Sequence, residues 1–312
     1  MIQSHTIEVP NGVDAGTQIP VTTISGKPGR VLALIAGNHG YEYPPILALQ
    51  ELRGQVDDAE LTGTLILVHV ANMPSFLGRT VYFSPIDGKN LNRVYPGQAD
   101  GTVSQRIAYA ITHEVIEKAD YVLDLHCGDA NESLRPYVYQ TITGEPAMDG
   151  EIARVVLAFG IDHVLVDRGR PTDPAKSLYC STTAITRGKP AVTIESGLLG
   201  RCDTESVERI VAGVRGVMRE LQMTADGPLP VARPVFLDPS AVIASPATGI
   251  LYPLVERDQT VAKGTVLARI TDFFGNEIAM VESPLSGLVL YIVTTPPITK
   301  GQPVACVAEP RP

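Results

Sequence analysis

The chain has 312 residues, enough for about two ordinary domains. Its 44% hydrophobic and 19% charged residues describe a globular protein and exclude disordered and collagen-like chains. The 25 basic and 34 acidic side chains leave a formal charge of -9 with no Lys/Arg cluster, which argues against nucleic acid and membrane partners, since phosphate contacts need concentrated positive charge.

The N-terminal MIQSHTIEVPNG has no basic region followed by an apolar run, and no stretch approaches the ~20 apolar residues of a membrane span. A cytoplasmic protein is the expectation. Cys127, Cys180, Cys202 and Cys306 are scattered without C-x-x-C spacing, so neither a disulfide framework nor a Cys-type zinc site is expected. Any metal would have to be held by His and carboxylate.

From Val31 to about Leu221, short apolar runs alternate with helix-like stretches. VLALIAG (31–37) precedes a Pro-Pro-led segment through Leu52, and TLILVHV (64–70) follows. The helical pattern QRIAYAITHEVIEKAD leads into YVLDLHC (121–127), and AVTIES (191–196) comes later. Continuous Val/Ile/Leu runs punctuated by helices imply strands buried on both faces, hence an α/β fold with a mixed sheet flanked by helices. Ligands of such sheets gather where strands end.

Near residue 228 the composition changes: PLPVARPVFLDPS (228–240) carries prolines that neither continue a helix nor suit a central strand, and reads as a linker. It divides the chain into 1–228 and a β-rich 229–312. In the second part SPATG (245–249) recurs as SPLSG (283–287), and VAKG (261–264) as ITKG (298–301). Short strands between Gly and Pro turns imply a small all-β unit of two similar halves. The pattern resembles a lipoyl-type barrel, but the region between the halves, TDFFGNEIAM (271–280), has no lysine to carry a cofactor.

Among six histidines His39 is the most informative, because GNHGYE (37–42) follows a buried strand and sets Glu42 three residues later. Positions i and i+3 of a turn share a side, so imidazole and carboxylate can converge on one cation. A third ligand is available at another strand end: His126 in DLHCGD (124–129), with Asp124 on the same strand face to orient it. Two histidines and one carboxylate leave a position open on a tetrahedral zinc ion, as in catalytic sites.

Catalysis there needs a base, and Glu195 in TIESG, closing another apolar run, suits that role. The polar loop SPIDGKNLNRVYPG (84–97) offers Asn92 and Arg93, the latter with a planar fork suited to a substrate carboxylate. Upstream, Arg79 could polarise a scissile carbonyl. His113 in THEVIE imitates the start of H-E-x-x-H, but position 117 is Glu, so a solvated helix face is expected. Cys127 is expected to pack rather than to act as a nucleophile.

In this order GNHGYE, DGKNLNRVYPG, DLH and IESG resemble the succinylglutamate desuccinylase/aspartoacylase family, a branch of the zinc carboxypeptidase superfamily. The motifs span 37–197, and the β-rich tail has counterparts in that family. The resemblance implies one zinc ion per chain on His39, Glu42 and His126, and Glu195 as general base and acid. It implies Asn92 and Arg93 on the substrate carboxylate, and Arg79 on the carbonyl oxygen. The family also contributes a late tyrosine, but no motif chooses between Tyr252 and Tyr291 and neither is placed in the site; its acyl-selecting arginine has no clear match here, Arg168 and Arg170 being only stand-ins, so acyl-group specificity is open. The expected activity is hydrolysis of the amide of an N-acylated amino acid or related small amine. A carboxypeptidase acting on peptide C-termini and a non-catalytic metal-binding scaffold are the alternatives. Subunit number is open, a homo-oligomer included.

Overall fold

The computed structural model describes residues 1–227 and 233–311. The chain opens with a hairpin of β1 (Ile2–Val9) and β2 (Thr17–Ser25), followed by β3 (Lys27–Ala36). Helix α1 (Tyr43–Gln55) starts on Pro44 and Pro45, whose missing N–H groups cost nothing in a first turn. Next come β4 (Thr62–Val68), the short α2 (Met73–Gly78), and α3 (Val103–Glu114), the last begun by a capping box of Thr102 and Gln105. Then follow β5 (Tyr121–His126), β6 (Glu132–Leu134), β7 (Tyr137–Thr141), α4 (Pro146–Phe159), β8 (His163–Asp167) and α5 (Cys180–Ile185). The series continues with β9 (Ala191–Glu195), α6 (Thr204–Glu220) and β10 (Val235–Ala244). The remainder is strand: β11 (Gly249–Pro253), β12 (Thr260–Val261), β13 (Val266–Thr271), β14 (Glu277–Glu282), β15 (Gly287–Val293), β16 (Pro297–Ile298) and β17 (Pro303–Pro310).

The expected mixed α/β fold is present. One large sheet runs in the order β1-β2-β4-β3-β5-β9-β7-β8-β10-β17-β15-β12, with β6 beside β15. Its centre, β4-β3-β5-β9, is parallel. Alternate residues of β3 feed opposite layers. Leu32 and Leu34 pack with Leu49, Ile152 and Ile210 of α1, α4 and α6, whereas Ala33 and Ile35 pack with Ile107 and Ile111 of α3. A strand covered on both faces must be apolar at successive positions, which is why VLALIA is a continuous run. Among the described residues, no helix is long and apolar enough to cross a membrane.

Part of the segment expected as a linker is strand instead. Residues 228–232 lie outside the described residues, but Val235–Leu237 pair in parallel with His163–Leu165 of β8. Pro239 is tolerated because the pairing of β10 with β17 shifts register between Leu237 and Ser240. β10 thus joins β8 to the C-terminal strands, and Leu134, Tyr137, Leu165, Leu237, Leu290 and Tyr291 fill the seam.

The sequence repeat corresponds to a repeated turn. The hydroxyls of Ser245 and Ser283 each donate to a carbonyl two residues on, Ala247 and Leu285, at 2.6 Å. Each turn leans on the opposite half: Ser245 N–H donates to Gln302 O at 2.8 Å and Ser283 N–H to Thr265 O at 2.9 Å. The halves therefore interlock, with β11 and β13 in a second, four-stranded sheet and β15 and β17 in the large one.

Arg106 fastens the N-terminal hairpin to α3. It is buried, at 4% exposure, and donates to the carbonyls of Pro10, Gly101, Asp14 and Ala15. Arg106→Met is expected to cost about 2–4 kcal/mol, because buried acceptors lose a charged donor. Urea unfolding measures this, and a loss below about 0.5 kcal/mol would show that water replaces the guanidinium.

Candidate metal centre and active-site pocket

The parallel register brings the strand ends together. Ala36 of β3 lies beside Leu125 of β5, and His126 beside Glu195 of β9. Beyond Ala36 the loop carrying His39 turns into α1, for which Glu42 is the N-cap. Gly40 is required there by close approach, since a Cβ would lie 2.2 Å from Ser75 O.

His39, Glu42 and His126 present nitrogen and carboxylate atoms that all lie within 4.8 Å of one another. Glu42 bridges the pair, with Oε1 2.7 Å from His39 Nδ1 and Oε2 2.8 Å from His126 Nδ1. The far side of each ring faces an acceptor: His39 Nε2 lies 3.1 Å from Asn90 Oδ1, and His126 Nε2 lies 2.9 Å from Asp124 Oδ1. With the Nε2 protons taken by those oxygens, both Nδ1 lone pairs would be free for a metal ion beside the Glu42 carboxylate. The three ligand atoms, on residues 8%, 3% and 2% exposed, could hold a cation among them. The donor set fits a borderline divalent ion such as zinc.

Asp124 is itself buried and accepts from Asn38 Nδ2 at 2.7 Å, while Tyr95 Oη donates to Asn38 Oδ1 at 3.0 Å. The i, i+2 spacing of Asp124 and His126 does produce the orienting contact. Electrostatics follow from burial. Burial opposes charge on Glu42, but His126 and His39 outweigh it and hold its carboxyl down at about 2. Burial, opposed by His126 but reinforced by Glu42 and Glu132, pushes the Glu195 carboxyl well above the usual carboxylate range.

His39, Glu42, Glu195 and Arg93 line one pocket of about 360 Å³, together with Tyr82, Asn90, Glu132, Tyr137, Tyr139 and Tyr291. Arg93 is exposed to it and packs over the Tyr179 ring at 4.7 Å, with Arg170 over the same ring at 4.1 Å. Asn92 is placed differently: it is buried, accepts from Cys180 N–H at 2.8 Å and lies 3.2 Å from His126 Nε2, behind the pocket wall. Arg79 is not brought in either. It caps α2 in a left-handed conformation (φ 50°, ψ 54°) and lines a neighbouring cleft with Tyr43, Phe76 and Cys202.

Of the late tyrosines Tyr291 lines the pocket, whereas Tyr252 stacks under Arg269 at 4.0 Å. Cys127 is buried, its thiol donates to Gly128 O at 3.3 Å, and burial raises it well above the usual thiol range, as a packed cysteine requires. His113 is on the solvated face of α3, paired with Glu117 at 2.9 Å. Sequence reasoning missed Tyr82, Glu132, Tyr137 and Tyr139. Glu132 lies only six residues beyond His126, and the i, i+2 tyrosines of β7 share a face, but nothing local says that this face meets the pocket.

The loop bearing Arg93 is anchored by Asp87, whose carboxylate accepts from Ser104 N–H at 3.0 Å, Ser104 Oγ at 2.9 Å and Lys89 N–H at 3.2 Å, at the start of α3. Burial raises this carboxyl, but the donors outweigh it, so it lies below the aspartate value. Its contribution is present above the unfolded-state pKa of about 4 and lost as pH falls through the lower folded value. Asp87→Ala is expected to cost about 1 kcal/mol at neutral pH, with the gap closing on acidification; a gap constant with pH would rule out the charged carboxylate as its source. At the triad, elemental analysis should find one divalent ion per chain after zinc dialysis and none in His126→Ala. Asp124→Asn should bind it about 10- to 100-fold more weakly. Stoichiometric metal in His126→Ala would place the ion elsewhere.

Relatives share this architecture. The profile of the succinylglutamate desuccinylase/aspartoacylase catalytic domain matches residues 28–221. The N-alpha-acetyl-L-2,4-diaminobutyric acid deacetylase of Halomonas elongata is 30% identical over 302 residues, which cover 93% of this chain and 85% of that protein. The product-bound ectoine utilization protein EutE (DoeB) from Ruegeria pomeroyi superposes with a TM-score of 0.87 at 27% identity, covering 99% of this chain and 95% of that one. A succinylglutamate desuccinylase from a Silicibacter species gives 0.86 at 26%, with coverages of 99% and 95%. With the profile matching most of the chain and a 30% identical relative along nearly all of it, the chain belongs to the succinylglutamate desuccinylase/aspartoacylase family.

Proposed function

We propose that the protein is a zinc-dependent amidohydrolase that removes the acyl group from an N-acylated amino acid or related small amine, releasing a carboxylate and a free amine. The observation that carries this reading is that His39 and Glu42 of the triad line one pocket of about 360 Å³ with Glu195, the cross-strand partner of His126. That volume suits a small molecule. The Halomonas relative, named for its action on an N-acetylated diamino acid, supports the same class.

A bound zinc ion would supply a Lewis acid for the amide carbonyl and ease ionisation of water. Glu195 accepts a proton from the attacking water and returns it to the nitrogen as the C–N bond breaks. A carboxyl raised by burial holds that proton more readily than an ordinary glutamate would. Arg93 has no carboxylate partner among the described residues and receives the carboxylate of the substrate. Asn92 supports it from behind, accepting from Arg93 Nη1 on its carbonyl at 2.7 Å. A role for Arg79 at the carbonyl requires its exposed side chain to swing over from the neighbouring cleft.

In this reading residues 1–228 are the catalytic domain, and 229–312 form a lipoyl-like β unit. Tyr291, Gln302 and Pro303 from that part narrow the pocket, which favours small amides over the peptides of a carboxypeptidase. The test is release of free amine from N-acetyl, N-succinyl and N-formyl amino acids and short peptides by zinc-loaded protein beside Glu195→Gln. We expect turnover of an N-acyl amino acid, with kcat falling at least about 100-fold in Glu195→Gln at unchanged zinc content. Equal activity would remove Glu195 as the base, cleavage of peptides alone would establish the carboxypeptidase, and silence of the zinc-loaded protein would favour the scaffold.

A further inference from the structure

Among the described residues the most exposed aromatic side chains are Phe273 and Phe274, at 73% and 92%. They sit at the tip of the hairpin that joins β13 to β14, and the turn holds them rigidly. Asp272 closes it: its carboxylate accepts from Phe274 N–H and Asn276 N–H at 2.9 Å and from Asn276 Nδ2 at 2.8 Å, while its own N–H donates to Asn276 O at 2.8 Å. Gly275 supplies the positive φ of 93° that the reversal needs. Two adjacent phenyl rings fixed in water add nothing to the stability of the fold, and an exposed apolar patch of this kind marks a contact surface.

A second surface feature fits them. The cleft of about 460 Å³ that holds Arg79 has apolar walls of Tyr43, Leu47, Phe76 and Leu77. Leu77 is 71% exposed, and Tyr43 meets Phe76 edge to face at 5.9 Å, a geometry that a further ring can join. Arg79 has no carboxylate partner among the described residues, and no acidic side chain lines the cleft. The hairpin is its electrostatic complement: Asp272 and Glu277 flank the two rings, and no Lys or Arg occurs from 270 to 299. The same lack of cations makes the tip a poor membrane wedge, because anionic lipid surfaces attract basic segments.

We propose that the Phe273–Phe274 tip of one copy inserts into the Tyr43–Phe76–Leu77 cleft of a second copy, which returns the contact to form a two-fold dimer. The tip does not fill the cleft of its own chain, since both rings are exposed. A two-fold axis makes each such contact twice. Four phenylalanines then bury about 500–800 Å² of their own surface. The cleft walls cover as much again, so the interface reaches about 1,000–1,600 Å², the range of specific association. The rings fill its centre, and Arg79 of each copy meets the acidic tip of the other at the rim, where ion pairs set register and approach more than they add strength. This assembly is independent of the chemistry assigned to the pocket.

Interfaces of this area have micromolar or tighter Kd values, so sedimentation velocity of the full chain at about 1–50 μM should show a dimer. Phe273→Ser/Phe274→Ser and Leu77→Asp, all at exposed positions, should each weaken it at least about 100-fold with unchanged circular dichroism. Trapping reads the contact itself. Phe274→Cys, oxidised with diamide, should form a disulfide-linked dimer through Cys202, the exposed cysteine at the cleft, because Cys127, Cys180 and Cys306 are buried. Adding Cys202→Ser should abolish the link. A monomer over the whole concentration range, a mass that rises past the dimer, or a dimer unaffected by either surface variant would overturn the proposal. A link that survives Cys202→Ser would set tip against tip and overturn it equally.

Discussion

The pocket is organised by one carboxylate, Glu42, gripped between the Nδ1 atoms of His39 and His126 at 2.7 and 2.8 Å. Each ring is held from behind by an oxygen of Asn90 or Asp124, the arrangement that orients imidazoles toward a metal ion. The contact depends on the sheet. His39 and Glu42 come from one loop, but His126 reaches them only because β3 and β5 run parallel in a register that ends both strands at one level. That register is enforced by burial on both faces, since sliding β3 by one residue would exchange the layers that Leu34 and Ile35 fill.

Low dielectric makes the surroundings of the triad as consequential as the triad. Burial, with Glu42 nearby, lifts Asp129 to about 6, and burial, opposed by Tyr82 but aided by Asp129, lifts Glu132 to about 7. A divalent ion at the triad would offset part of the negative charge there. Burial among carboxylates likewise keeps Glu195 proton-hungry beside His126, with which it is paired across β5 and β9.

Two guanidiniums share one ring: that of Arg93, which lines the pocket, and that of Arg170, which is paired with Asp167. Arg93 and Arg170 both pack on Tyr179, and Arg170 also lies over Tyr139 at 5.7 Å. An aromatic ring between guanidiniums lets two like charges share one region without direct contact. The C-terminal strands close the remaining side through Tyr291, Gln302 and Pro303, so the interlocked repeat helps to shape the pocket as well as completing the sheet.

Local chemistry determined much of this from sequence alone. VLALIAG, YVLDLHC and AVTIES announce buried strands because two-sided burial demands apolar residues at every position, and H-x-x-E and D-x-H are contacts within one turn or one strand face. The matched SP and KG turns likewise reveal two similar halves. Tertiary structure decided what depends on distant pairing. It set Val235–Leu237 beside β8 instead of in a linker, put Asn92 behind His126, turned Arg79 into another cleft, and set Tyr291 in the pocket wall and Tyr252 under Arg269. Glu132, Tyr82, Tyr137 and Tyr139 belong to that second group. A side chain's neighbours across a seam such as β6–β15 are set by packing of segments about 160 residues apart, and no local spacing encodes them.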